Sequence, residues 1–567
     1  DVSNVTDMNT IFRDSQFNMD INSWNVKNVL DMTRMFKNSN FNQNISSWCV
    51  PDITTVPVDF STDSPLTEEN KPVWGTCPGT PEPITLLTPN NVSSDIDIRI
   101  PFFTWETDSS STHYQLQVFE GQSITLSDTL VDTTNFVLPF SLKPNTTHYW
   151  KVRGINNDKD LIGEWSDIWS FTTQPIYVDD NGTVRCKDIP IGTLGLINGE
   201  AYEVVDRSLL EQRRDEGADL TKSCVSNVTD MSYLFRKLSF NQEIGNWDVS
   251  NVTNMSYMFS ESDFNNDISI WDVSNVSNMK SMFESSEFNQ PIGSWDVSSV
   301  TDMSRLFRDT RFSSSPFNQE IGGWDVSSVT NMKAMFDGSS FNQSIGDWNV
   351  SNVTDMELMF HASTFDQPIN NWNVSNVTIM EGMFSSSLFN QPLSDWDVSK
   401  VTDMLGMFFD SEFDYPIGSW DVSNVTDMSS MFTRSKFNQA LNDWDVSNVT
   451  DMNSMFDDSQ FNQPLNDWNV SNVTNMRIMF IRSSFNQPIG QWDVFNVENM
   501  EAMFAFTPFN QDISDWCVIK LSDEPNAFST DSPLSDENKP IWGSCPSFTP
   551  DKISLAYPDN QGAFKDL

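Results

Sequence analysis

Histidine is the first scarcity in this 567-residue chain: only His113, His148 and His361 are present, widely separated. With them no Ser-His-Asp or Cys-His set can be assembled, and no HExxH string or glycine-rich phosphate loop occurs. A glycosidase needs only two carboxylates at the right distance, but acidic pairs are so abundant that none stands out. The expectation is a protein that is not an enzyme. Positive charge is also short: 32 Lys and Arg face 79 Asp and Glu, for a formal charge of -47. That balance excludes nucleic acid, whose phosphates need cationic partners. No run of about 18 apolar residues exists, so no membrane span is expected. An initiator Met and a signal peptide are lacking too. The chain opens at Asp1 inside DVSNVTDM, which reads as an excerpt from a longer polypeptide or a mature product.

What is present is repetition. Tryptophans fall at Trp247, Trp271 and Trp295, then at Trp324 and every 24 residues to Trp516. The one longer step, from Trp295 to Trp324, holds five extra residues at Phe312–Pro316. A fixed period in the twenties is the mark of a solenoid built from one coil per repeat. Within a coil, Trp444-Asp445-Val446 alternates as a short strand with one buried face requires. After it, Thr450 is placed to cap a helical turn, Asp451 to sit at its positive end, and Met452, Met455 and Phe456 to share one side. Pro464 ends any such turn. The expected fold class is therefore a repeat solenoid of short parallel strands and short helical turns, with Trp, Val, Met and Phe ladders inside.

The run WDVSNVTDM, then MF, Ser and FNQP, resembles the leucine-rich repeats of BspA-like bacterial and protist surface proteins, in the variant of mycoplasma surface lipoproteins. Phe495, Lys400 and Glu498 are isolated departures that leave the apolar positions untouched. The resemblance implies a leucine-rich-repeat-like fold and a role in surface adhesion or interaction, and its motif contains no catalytic residues.

Taken in order, residues 1–80 hold the last rungs and cap of a first solenoid, with Trp24 and Trp48 on the same step. The cap occurs twice: FSTDSPL, ENKP and WG lie between Cys49 and Cys77 and recur 468 positions later between Cys517 and Cys545. Residues 82–175 change in kind. Phe102–Glu106, Tyr114–Val118, Leu142–Arg153, Gly163–Ser166 and Phe171–Thr173 are predicted strands of an antiparallel sandwich. They resemble a fibronectin type III domain, with Tyr149 at that family's corner tyrosine; no RGD string is present. Residues 176–223 read as an N-terminal cap, with a hairpin over Ile197–Tyr202 and a helix over Ser208–Glu216 capped by Ser208 and stopped at Gly217. Residues 224–546 form the main solenoid with its C-terminal cap, and 547–567 read as the start of a further domain.

Six cysteines, an even number, suit an oxidising extracellular compartment. The duplicated spacing pairs Cys49 with Cys77 and Cys517 with Cys545, leaving Cys186 for Cys224; a zinc site would need CxxC pairs or nearby histidines. The residue after each Trp forms a ladder that includes Asp248, Asp272, Asp296 and Asp325, then Asp397, Asp421 and Asp445. Like charges stacked about 4.8 Å apart repel. Raised carboxylate pKa values or bound Ca²⁺ would relieve them, against the plainer reading of a solvated face diluted by Asn and Ser. Asn-x-Ser/Thr sequons recur, partly as a by-product of the coil. Asn91, Asn145 and Asn181 lie outside it; Asn227, Asn251 and Asn352 are candidate glycosylation sites within it.

The functional expectation is an extracellular, cell-surface structural or adhesive protein with no required cofactor. Its partners would be neighbouring copies of the same unit, assembling into a fibre or sheath. The alternative is a monomeric adhesin or receptor that binds a glycan or surface protein on the solenoid face.

Overall fold

The computed structural model describes residues 1–121, 123–310 and 316–546. The extra residues from Phe312 to Ser315 and the expected further domain at 547–567 lie outside them. The chain divides into two compact units, Asp1–Tyr177 with Leu194–Glu200, and Val178–Thr193 with Ala201–Leu567.

In the first unit, two repeats and a cap stack in register. Asp7 and Asp31 form a parallel bridge, the Phe12 N–H donates to the Met35 carbonyl (3.0 Å), and that of Phe36 to Phe60 (2.8 Å). A β-rich domain follows, with nine strands among the described residues. They are β1 (Leu86–Thr88), β2 (Ser93–Ile96), β3 (Phe102–Trp105), β4 (His113–Glu120), β5 (Ile124–Val131), β6 (Asn135–Val137), β7 (Thr147–Asn156), β8 (Leu161–Ile162) and β9 (Trp169–Thr173). One sheet has the order β1-β3-β6; the other runs β2-β9-β7-β4-β5, with β8 also pairing β7. Alternation buries Tyr114, Leu116 and Val118 on β4 and Trp150 and Val152 on β7, in one core with Phe103 and Phe171. Two expectations need correction here. The strand predicted from Leu142 starts at Thr147, because Asn145 (φ 46°) turns the chain first. Gly163–Ser166 forms no strand; its Trp165 ring lies under Lys151 and Arg153, each 4.4 Å from the ring centre. Tyr149 stacks on Phe119 at 6.0 Å.

The second unit is dominated by the repeats, and here the predicted local structure is wrong in a specific way. The parallel bridges fall not at Trp-Asp-Val but seven residues later, as in Asp427–Asp451–Asn475. The helical turn does not form. Ser454 and Asp458 take φ of 58° and 53°, which no α-helix accommodates. Two left-handed residues four positions apart in each such repeat split the backbone amides into two sets. Met455 and Asp457 close four-residue turns onto Met452 and Ser454. Met452, Ser454, Phe456 and Asp458 instead donate forward, to Asn475, Arg477, Met479 and Ile481 of the next repeat. Thr450 does not cap anything: its N–H and Oγ1 both donate back to the Thr426 carbonyl (2.9 and 3.2 Å). The residues that a helix would have bonded to itself thus bond to neighbours.

Behind this ladder the side chains stack. Trp348 lies over Trp372 at 6.4 Å and 5°, Phe336 over Phe360 at 5.7 Å, and Phe341 over Phe365 at 6.2 Å. Each indole N–H finds the preceding repeat, as Trp372 Nε1 does with the Ile345 carbonyl (3.0 Å). At about 25 cal/mol per Å² of apolar surface removed from water, these columns are the main source of stability.

Both ends of a ladder that runs one way need closure. At the C-terminal end, Ala502, Phe504 and Phe506 donate to carbonyls of Asn526, Phe528 and Thr530 in the cap. The Phe528 ring turns 88° to Phe504 and meets Trp542 at 81°, ending the parallel stack; Phe60 and Trp74 do the same in the first unit, at 89° and 84°. At the N-terminal end the exposed groups are carbonyls. The helix α1 (Arg207–Asp215) supplies arginines to them: Arg207 donates to Asp230 and Ser232, and Arg214 to Leu234. Its N-cap is Asp206, whose carboxylate accepts the Leu209 N–H (2.9 Å), and not the predicted Ser208. The predicted hairpin turn contains Asn198 and Gly199, both at positive φ, between strands Leu194–Ile197 and Glu200–Val204.

Candidate functional site

The residues singled out in the sequence fall into three groups in the structure. Disulfides join Cys49 to Cys77, Cys186 to Cys224 and Cys517 to Cys545. Cys49 and Cys517 each follow the last ladder tryptophan of their stack, and Cys224 precedes Val225 at the other end, so each bond ties a cap to a terminal repeat. Loops of 28 and 38 residues closed this way contribute about 4 kcal/mol each in the chain-entropy account.

The aspartate ladder is satisfied locally. Asp272, Asp296, Asp325, Asp397, Asp421 and Asp445 are exposed, and each accepts the N–H of the serine two residues on, from Ser274 to Ser447. That serine turn stabilises the charged form. Hydrogen bonds from Ser298, Ser327, Ser399 and Ser447 hold Asp296, Asp325, Asp397 and Asp445 below the usual carboxylate range. The expected relief through raised pKa values is therefore not the one used. Asp248 departs from the ladder altogether. It is 2% exposed and paired with the Arg185 guanidinium, which also holds Asp179 at 2.8 Å. Burial opposes its ionisation, but Ser226, Ser250 and Arg185 bring its pKa below the ordinary value. Asp248 clasps the N-terminal cap to the stack. Among the described residues no three His, Cys, Asp or Glu side chains are grouped so as to hold a metal ion.

The six sequon asparagines divide by what their amide nitrogen does. Asn251 Nδ2 donates to the Ser226 carbonyl (2.8 Å), Asn352 Nδ2 to Ser327 (2.7 Å) and Asn227 Nδ2 to Ile189 (3.0 Å). The coil asparagines thus bind most repeats to the one before; Ser299, Ser328 and Lys400 interrupt the series. Asn91, Asn145 and Asn181 are exposed outside it; the Asn91 side-chain oxygen Oδ1 accepts the Ser170 N–H.

Two groups were not singled out in the sequence. Glu284, Arg308, Asp337 and His361 form a chain of contacts across successive repeats, with Arg308 to Asp337 at 2.7 Å and Asp337 to His361 at 2.7 Å. Their signal, alternating sign at one repeat position, is visible only once repeats are aligned in register. His148 is fully buried with both ring nitrogens unpartnered. None of these arrangements sets a nucleophile beside a base. What they offer is a rigid, regular polar surface on an apolar stack.

Three disulfides place the folding of this chain in an oxidising compartment and support a secreted or extracellular protein. Among the described residues no helix is long and apolar enough to cross a membrane. No curated protein and no solved structure matches the chain. Residues 1–72 and overlapping segments spanning 207–539 match the family described as "Mycoplasma protein of unknown function, DUF285". These segments cover most of the chain, and they coincide with the stacked aromatic repeats of both units; the chain belongs to this family and carries its repeats in tandem.

Proposed function

We propose that the chain is a non-catalytic, extracellular structural protein whose repeat units associate into a cell-surface fibre or sheath. In this reading the stacks are leucine-rich-repeat-like solenoids of the BspA-like kind, and residues 82–175 are a fibronectin type III-like spacer. The observation that carries it is the duplicated terminus. Phe60, Trp74 and the Cys49–Cys77 bond recur, in the same ring geometry, as Phe528, Trp542 and Cys517–Cys545. A stack-plus-cap unit that recurs inside one chain suits serial construction better than a single binding pocket. Repetition also converts weak contacts into avidity. No cofactor enters this reading, because the ladder carboxylates are satisfied by serines. Glycans, where the host adds them, would sit on Asn91, Asn145 and Asn181.

Electron microscopy of the native material, with and without a calcium chelator, tests it. Regular filaments unchanged by chelation support the reading. Filaments that loosen on chelation would restore calcium to the aspartate ladder. Separate particles in both conditions would overturn the fibre and favour the monomeric adhesin.

A further inference from the structure

The face of the second unit that carries the parallel bridges changes sign along its length. In each repeat this face presents the bridging residue together with the residues two and three further on. The repeats bridged at Asn278, Asp302 and Asn331 place Lys280, Arg305 and Lys333 there, three cations against the one carboxylate of Asp302. The repeats bridged at Asp355, Ile379 and Asp403 place Glu357 and Glu381 there instead, with Asp355 and Asp403 themselves. The register is continuous through all of them, so basic and acidic halves lie on one ladder.

The acidic half also carries an aliphatic patch. Ile379 stands where most repeats have Asp or Asn, and Leu405 and Leu358 stand beside it, all three half-buried. Gly382 and Gly406 fill the left-handed position that carries a side chain in most repeats, which flattens the surface there. Lys333 pairs with Glu357. Lys280, Arg305, Glu381 and Asp403 have no ion-pair partner among the described residues.

We propose that two copies of the chain pair antiparallel across this face, about a two-fold axis between the repeats bridged at Asn331 and Asp355. This rests on the self-association reading above and names the surface it uses. An isologous contact needs a surface complementary to itself, and this sign change supplies one. With the axis there, Arg305 of one copy meets Glu381 of the other, and Lys280 meets Asp403. The aliphatic patch of Leu358, Ile379 and Leu405 then lies against the methylene stems of Lys280, Arg305 and Lys333 from the other copy. Burial, and then the neighbouring Glu357 and Asp403 against the opposing Lys333, push the Glu381 carboxyl up, and burial raises that of Asp355.

Sedimentation of the full chain with Arg305→Glu, Glu381→Lys and their mixture tests the pairing. Each variant alone puts like charges together at both symmetric contacts, and self-association is expected to weaken at least tenfold. In the mixture the glutamate introduced in one copy meets the lysine introduced in the other, and at the second contact the native Arg305 meets the native Glu381. Association is therefore expected to return to the wild-type level. Wild type that associates while both variants associate equally well overturns this face and leaves self-assembly standing. Wild type that stays monomeric at every concentration overturns both. Loss in each variant without rescue on mixing overturns the antiparallel register.

Discussion

The left-handed residues are where single side chains matter most, because a non-glycine residue there costs about 1–2 kcal/mol. Most repeats accept this cost twice, and Phe506 (φ 60°) accepts it with a ring 53% exposed. Ser386→Gly, at an exposed position with φ 55° and little side chain to lose, is expected to stabilise the chain by about 1 kcal/mol in denaturant unfolding. Gly382→Ala should do the reverse by a similar amount; its φ is 56° and an added Cβ would meet Leu358 at 2.6 Å. His148 is a second residue whose conformation has a measurable consequence. Burial lowers its pKa below the ordinary value of about 6.5. As pH falls through that value the unfolded chain takes up a proton that the folded domain resists, so stability is present above about pH 6.5 and is lost below it. Protection factors on β4 and β7, which divide out the pH dependence of free-amide exchange, should therefore fall between about pH 7 and pH 5, and His148→Phe should flatten that response. An unchanged slope in the variant would assign the acid sensitivity to other groups.

At the scale of the elements, α1 illustrates what a one-way ladder demands. Two of its three arginines, Arg207 and Arg214, occupy carbonyls of the first repeat that no preceding strand satisfies. Arg207→Met keeps much of the packing but removes two donors, and is expected to cost about 1–3 kcal/mol. The loss should appear as faster exchange in the first repeats of the second unit, with the central repeats unaffected. Part of this was legible in the sequence. The tryptophan step, the apolar columns and the duplicated cysteine spacing all followed from residues that recur at fixed intervals. The coil's local structure was not legible, because Met452, Met455 and Phe456 have helical spacing whether their amides bond within the coil or forward to the next one. Only the backbone at Ser454 and Asp458 decides between these, and nothing in Ser or Asp announces a positive φ. Asp206 displaced Ser208 as the cap for a similar reason: both are good capping residues, two positions apart. Asp248 was misread as a ladder member because its partner, Arg185, lies 63 residues upstream. The serine that relieves each remaining ladder aspartate was in plain view, two positions on.

For the whole molecule, the formal charge of -47 acts in two directions. Within one copy the exposed carboxylates repel, and salt screens them over about 10 Å at 0.1 M. Local serine bonds satisfy each ladder aspartate but do not remove its charge, as the Asp325 charge acting on Asp296 shows. Raising salt from about 20 to about 500 mM, across which the screening length falls steeply, should therefore raise the melting temperature of the stack. Between copies the sign is opposite. A contact held by Arg305 with Glu381 and Lys280 with Asp403 is an exposed, charge-driven one, and the same salt should weaken it. Calorimetry and sedimentation over one salt series separate these effects, with thermal stability rising while association falls. Association that strengthens with salt would mean the copies are held by the apolar patch or by another surface, and charge reversal at Arg305 would then leave it unchanged.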